Sequence, residues 1–161
     1  MFRRSGAESM ENVTMQIGPI VLAVEDNPDD VVLLRRAFGK AAREVALHFA
    51  RDGQEALDYL KGVDPFVDRK MYPLPTLLLL DLKLPRIDGF EVMEWVRNQS
   101  ELAGLKIVVL SSSGEPSDRA RAKELGANAY HVKPNDPNAW AGMLEGLRMY
   151  WVEGAGETLQ T

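Results

Sequence analysis

The sequence predicts an α/β fold, a doubly wound five-stranded parallel sheet of order 2-1-3-4-5 with five helices. Three observations carry this prediction. Strand-like runs of four to six residues alternate five times with amphipathic segments, the pattern of a parallel sheet joined by right-handed helical crossovers. Most of these runs are apolar at every position, as strands buried on both faces are. Polar residues gather at the carboxyl ends of the runs, where open α/β sheets form their ligand crevices.

Size and composition narrow the classes. The chain has 161 residues, 45% hydrophobic and 27% charged, which suits one soluble domain with a full core. A net charge of −5 argues against a general grip on nucleic acid. There is no cysteine, so disulfides, thiol catalysis and cysteine metal sites are excluded, and a cytoplasmic setting is expected. No apolar stretch approaches the roughly 18 residues of a membrane span. Arg3 and Arg4 are not followed by the apolar core of a secretory signal. Residues 1–18 lack periodicity and are expected to be flexible, residues 19–152 hold the folded domain, and the polar, Gly-containing tail 153–161 is expected to be flexible too.

Ile20 to Val24 is the first strand, and it ends in Glu25-Asp26. Adjacent carboxylates at a strand tip repel each other. A hard divalent cation with oxygen ligands offsets that repulsion; a solvated acidic turn is the plain alternative. Asn27-Pro28 then opens a helix, with Asn at N-cap, Pro at N1, and Asp29 and Asp30 set against the helix dipole. Val31, Leu34 and Phe38 form its apolar stripe. Val45 to Ala50 alternates, with Leu47 and Phe49 on one face and His48 on the other, where it reads as a surface residue. Asp52-Gly53-Gln54-Glu55 has the capping-box pattern and starts a helix through Ala56, Leu57 and Leu60. Gly62 to Pro75 carries three prolines among scattered charges and reads as a long surface loop, either a recognition element or a simple insertion.

Pro75 to Gly89, PTLLLLDLKLPRIDG, is the centre of the pattern. Leu77 to Leu80 make a buried strand that ends at Asp81, which is either a crevice carboxylate or the cap of the next turn. Ile87-Asp88-Gly89 opens a third helix with Phe90, Met93, Trp95 and Val96 on a wide apolar face. Lys106 to Leu110 is the next strand, ending in Ser111-Ser112-Ser113-Gly114; such serines can donate to an anion and are also ordinary loop residues. Pro116 opens a fourth helix with Ala120, Lys123, Glu124 and Leu125, and Gly126 is its C-cap glycine. Ala127 to Val132 is the last strand, followed by Lys133-Pro134. Asp136-Pro137 opens the last helix, where Trp140, Leu144, Leu147 and Trp151 recur at helical spacing. That stripe reads as core, yet the aromatic load of Trp140, Tyr150 and Trp151 also points to a partner face.

In a sheet of order 2-1-3-4-5 the crevice lies where the winding reverses, between strands 1 and 3. Glu25, Asp26 and Asp81 would converge there, with Ser111 and Lys133 on the same rim. Three acids with a lysine and a hydroxyl suggest a magnesium site beside a phosphoryl site.

At this point the chain resembles the receiver domain of two-component response regulators, a flavodoxin-like fold, over roughly Ile20 to Tyr150. The resemblance rests on Glu25-Asp26, Asp81 with Pro85 and Asp88-Gly89, Ser111, and Gly126-Ala127 followed by Tyr130 and Lys133-Pro134. It implies Asp81 as phosphoacceptor and Mg²⁺ held by Asp26, Asp81 and the Lys83 backbone carbonyl, with Glu25 acting directly or through water. It implies Lys133 as the phosphoryl partner, Ser111 and Tyr130 as switch residues, and Lys83 and Ser113 as tuners of phosphoryl lifetime. A Lys133–Pro134 bond in cis is also implied. A kinase phosphohistidine or a phosphotransfer protein would donate the phosphoryl group. The chain would catalyse only its own phosphorylation and autodephosphorylation, and its helix 4–strand 5–helix 5 surface would change. The Gly62–Pro75 loop and aromatic last helix are similar to those of single-domain regulators paired with phytochrome-type histidine kinases. Only a short tail follows the last helix, so output is expected through protein contact, a homodimer, or a relay or phosphate sink.

Two other classes fit less well. A phosphoserine-phosphatase-like hydrolase also uses an Asp nucleophile and Mg²⁺, but its nucleophile follows the first strand with a second Asp two residues on; here residue 83 is Lys. A receiver-like scaffold that takes no phosphate would not need the complete set Glu25, Asp26, Asp81, Ser111 and Lys133.

Overall fold

Each leucine from Leu77 to Leu80 is buried, because neighbours and layers enclose that strand on every side. In this computed structural model, which describes residues 18–152, five strands form the sheet. They are β1 (Ile20–Val24), β2 (Ala46–Ala50), β3 (Leu77–Leu80), β4 (Lys106–Ser111) and β5 (Ala129–Val132). Their order is β2-β1-β3-β4-β5, and every pairing is parallel. Five α-helices connect and follow them: α1 (Pro28–Ala41), α2 (Gly53–Lys61), α3 (Gly89–Arg97), α4 (Pro116–Glu124) and α5 (Trp140–Trp151). The predicted fold is the observed one. The flexibility expected of residues 1–17 and 153–161 lies outside the described residues.

The strands sort their side chains with period two. Leu22, Val24, Leu78, Leu80, Ile107 and Val109 meet α2 and α3 on one face. Val21, Ala23, Leu77, Leu79, Val108 and Leu110 meet α1 and α5 on the other. Each fully buried leucine stabilises the fold by about 2 kcal/mol, so β1, β3 and β4 form a stiff centre for the crevice above them.

Local signals set the helix starts. Asn27 accepts a hydrogen bond from the Asp29 N–H with Pro28 in the first turn. Asp88 and Glu91 form a reciprocal capping box on α3. On α2 the box is half made: Asp52 accepts from the Glu55 N–H at 2.8 Å, but the Glu55 carboxylate turns to the Arg51 N–H. Asp136 opens a short 3-10 turn, Pro137–Ala139, before α5 rather than α5 itself. Gly126, at φ 94°, ends α4. The last strand starts at Ala129, two residues later than expected, because the Asn128 side chain breaks the pairing by accepting the Ile107 N–H.

Two expectations are corrected by packing, and a third gains detail. Trp140 and Trp151 are 2% and 1% exposed and wedge between α1 and the sheet, so of the aromatics Trp140, Tyr150 and Trp151 the half-buried Tyr150 is the one that keeps surface for a partner. His48 is half-buried, its ring 5.9 Å from that of Tyr59, because α2 covers this face of the edge strand. The 62–75 loop lies on the surface yet is tied down. Phe66 packs against Tyr59 and Tyr72 with centroids 5.2 and 5.0 Å away. Arg69 donates to the carbonyls of Tyr59, Leu60 and Tyr72.

Candidate functional site

The sheet register builds the site. Val24 pairs with Leu80, and the Asp81 N–H continues the ladder to Val24 O. Glu25 does the same on the other side, donating to Ala50 O at 2.9 Å. Two carboxylates therefore leave adjacent strand tips at one level. Glu25, Asp26 and Asp81 each offer an oxygen, and these lie within 4.8 Å of one another. Glu25 and Asp81 are 2% and 6% exposed, while Asp26 faces solvent.

Lys133 closes the group from the tip of β5. Its N–H donates to Ser111 O at 2.8 Å, which fixes where its side chain begins. Its ammonium lies 2.7 Å from Glu25 Oε1, 2.8 Å from Asp81 Oδ2 and 2.8 Å from Asp30 Oδ2. Three N–H donors meet three carboxylates, so the ammonium is saturated. Burial alone would lower the Lys133 pKa, but hydrogen bonds to Asp30, Asp81 and Glu25 outweigh it and hold the ammonium above lysine's ordinary range. Burial pushes Glu25 up to about 7 despite the opposing hydrogen bond and charge of Lys133. A carboxylate so poorly solvated gains from a cation. The donors are all hard oxygens with room at Asp26 for water, which fits a magnesium-type ion.

Asp30, expected from the sequence only to face the helix dipole, is the third partner of Lys133. Its position in the first turn of α1 gave it a sufficient role against the helix dipole. The only local signal for more was its nearness to the Glu25-Asp26 tip. The expected cis bond is also corrected: among the described residues the cis peptide is Asp64–Pro65, and Lys133–Pro134 is trans. Lys133 still points inward, drawn by the three carboxylates.

The other predicted residues are placed less uniformly. Ser111 is fully buried at the tip of β4, and its Oγ accepts the Ser113 N–H at 3.1 Å. The Ser113 hydroxyl donates to Asp118 Oδ2 at 2.5 Å, so it is committed to the start of α4. Tyr130 is half-buried; its hydroxyl donates to Ser113 O at 2.7 Å, and the Arg119 guanidinium lies 4.7 Å from its ring centre. Lys83 is exposed; its N–H reaches Asp81 Oδ1 at 3.3 Å. Its ammonium forms no ion pair among the described residues. The loop behind it is tight. A Cβ on Gly89 would sit 2.3 Å from Asp81 O, and Arg86 takes a left-handed φ of 68°.

The family model described as the response regulator receiver domain matches residues 21–145. Response regulator Rcp1 of Synechocystis is 30% identical over 83% of this chain and 89% of its own length, and its Mn²⁺-bound crystal structure superposes with a TM-score of 0.74 at 29% identity, covering 84% of this chain and 96% of that one. The structure of RPA3017, a response regulator in red light signaling of R. palustris, gives a TM-score of 0.78 at 34% identity over 84% of this chain and 94% of that one. The phosphorylated cyanobacterial phytochrome response regulator RcpA gives 0.76 at 29% identity over 83% and 94%. Among the described residues, no helix is long and apolar enough to cross a membrane.

Proposed function

The chain belongs to the response regulator receiver domain family, and we propose that it takes a phosphoryl group onto Asp81 from a histidine kinase phosphohistidine. The observation that carries this reading is the Asp81 carboxylate, 6% exposed, 2.8 Å from Lys133 and grouped with Glu25 and Asp26. An Asp81 oxygen attacks phosphorus in line. The N–P bond of the donor breaks, and its electron pair leaves with the imidazole, which takes up a proton. Water later attacks phosphorus, returning the carboxylate and inorganic phosphate. A Mg²⁺ held by Glu25, Asp26, Asp81 and the Lys83 carbonyl would neutralise charge on the transferring oxygens. Lys133 supplies the protein's own positive charge to those oxygens. Catalysis is therefore positioning and electrostatics.

The product adds about two negative charges at Asp81. Ser111 then hydrogen-bonds the phosphoryl group, and Tyr130 exchanges its Ser113 partner for an inward position, changing the surface of α4, β5 and α5. Polar α4 suits such movement, since Ala122 is its one buried residue. Lys83 and Ser113 tune the lifetime: the exposed Lys83 ammonium acts on the phosphoryl oxygens, and Ser113 acts through the Asp118 contact. The likeness to RcpA and RPA3017 favours a phytochrome-type sensor kinase as the partner. Intact mass after incubation with acetyl phosphate and Mg²⁺ tests the reading. The wild type should gain one phosphoryl mass and Asp81→Asn none; a wild type that gains nothing, or a variant that still gains it, overturns the proposal.

A further inference from the structure

Lys133 has three partners, and they are not equivalent. Glu25 and Asp81 belong to the cluster of oxygens that can hold a cation; Asp30 does not. A divalent ion there would draw on the lone pairs of Glu25 and Asp81 and repel the neighbouring ammonium. Lysine is a point charge on a flexible four-carbon stem, so with those two contacts weakened it would swing towards water. Asp30 is the partner that remains. It sits in the first turn of α1, whose start is fixed by the Asn27 cap and Pro28. Its carboxylate accepts no other hydrogen bond among the described residues. Both groups are largely shielded, with side chains 17% and 11% exposed.

We propose that Asp30 is a positioning residue for phosphoryl transfer: it anchors the Lys133 ammonium in the crevice once a cation occupies Glu25, Asp26 and Asp81. One N–H of the ammonium stays on Asp30 and the others turn to Asp81 and the arriving phosphoryl oxygens. The anchor rests on the phosphoryl-acceptor reading for its use, but not for its physical test.

That test follows the Lys133 side-chain nitrogen by ¹⁵N NMR, with Mg²⁺ alone and no phosphodonor. The wild type should keep a slowly exchanging Lys133 ammonium signal with and without Mg²⁺. Asp30→Ala should keep it without Mg²⁺ and lose it on adding Mg²⁺. Asp30→Asn, which retains an acceptor oxygen, should restore it. Asp29→Ala, which removes a charge from the same helix turn without touching Lys133, should behave as wild type. In the acetyl phosphate assay Asp30→Ala should slow phosphorylation about tenfold, with Asp30→Asn within about threefold of wild type. A signal in Asp30→Ala that survives Mg²⁺ overturns the anchor. So does faster phosphorylation of both variants, which would make Asp30 a competing charge. A wild type that gains no phosphoryl mass defeats the functional reading alone, and the Mg²⁺ comparison still decides the anchor.

Discussion

Replacing Lys133 by methionine keeps most of the side-chain volume and removes the charge. Three carboxylates at 2.7 to 2.8 Å then lose their shared counter-charge. Two of them are almost fully buried, at 2% and 6% exposure. Removing one partner of a buried ion pair costs about 3–5 kcal/mol. The lower end applies here, because Asp30 is less buried and Glu25, already pushed up to about 7, relieves part of the repulsion by taking up a proton. The expected loss is therefore about 3 kcal/mol in EDTA, or roughly 10 °C in Tm for a chain of this length. Mg²⁺ should return part of it, since an ion that binds only the folded state stabilises by mass action. Wild type should gain less from Mg²⁺ than the variant does. Urea unfolding with EDTA and with Mg²⁺, for both proteins, measures each term. A variant as stable as wild type in EDTA, or one indifferent to Mg²⁺, would refute the reasoning that Lys133 holds together a cation-ready acid cluster.

Gly89→Ala should cost about 1–3 kcal/mol by overpacking, because its Cβ would meet the backbone at Asp81 O and Leu82 Cα at 2.3 and 2.8 Å; it should also slow phosphorylation, and unfolding curves plus intact mass read the two effects. Asp88→Ala removes the capping box on α3 and should cost about 1 kcal/mol, with the midpoint in urea falling at constant slope. Burial lowers the His48 pKa below its usual 6.5. The unfolded chain therefore binds more protons there, and stability rises with pH. That contribution is complete above about 6.5 and is lost as pH falls through the lowered folded value. His48→Gln should flatten part of the stability slope between about pH 7 and 5; an unchanged slope would show that the imidazole titrates alike in the folded and unfolded chain.

The sheet was legible because β1, β3 and β4 are buried on both faces, so their sequences report burial at every position but Lys106 at the start of β4. The crevice was legible for a related reason: a chain leaving a buried strand can become polar only at its tip, and Glu25, Asp81 and Ser111 mark those tips. What stayed hidden is tertiary. Asp30 and Lys133 are 103 residues apart, and the helix-start reading of Asp30 left nothing unexplained. Trp140 and Trp151 have the periodicity of a core stripe; the partner-face alternative came from residue type, which says nothing about the layer that covers it. The 62–75 loop reads as polar and broken, yet Phe66 and Arg69 tether it, contacts that no local period reveals. His48 was misjudged because alternation gives a face, not what covers that face.

Borohydride reduction of the acetyl phosphate-treated protein, followed by peptide mass mapping, tests the phosphoacceptor most directly. An acyl phosphate is reduced where a free carboxylate is not. The account predicts homoserine at position 81, dependent on Mg²⁺ and absent without phosphodonor. Reduction at another acid, or none at any position in a protein shown to be folded, would contradict it.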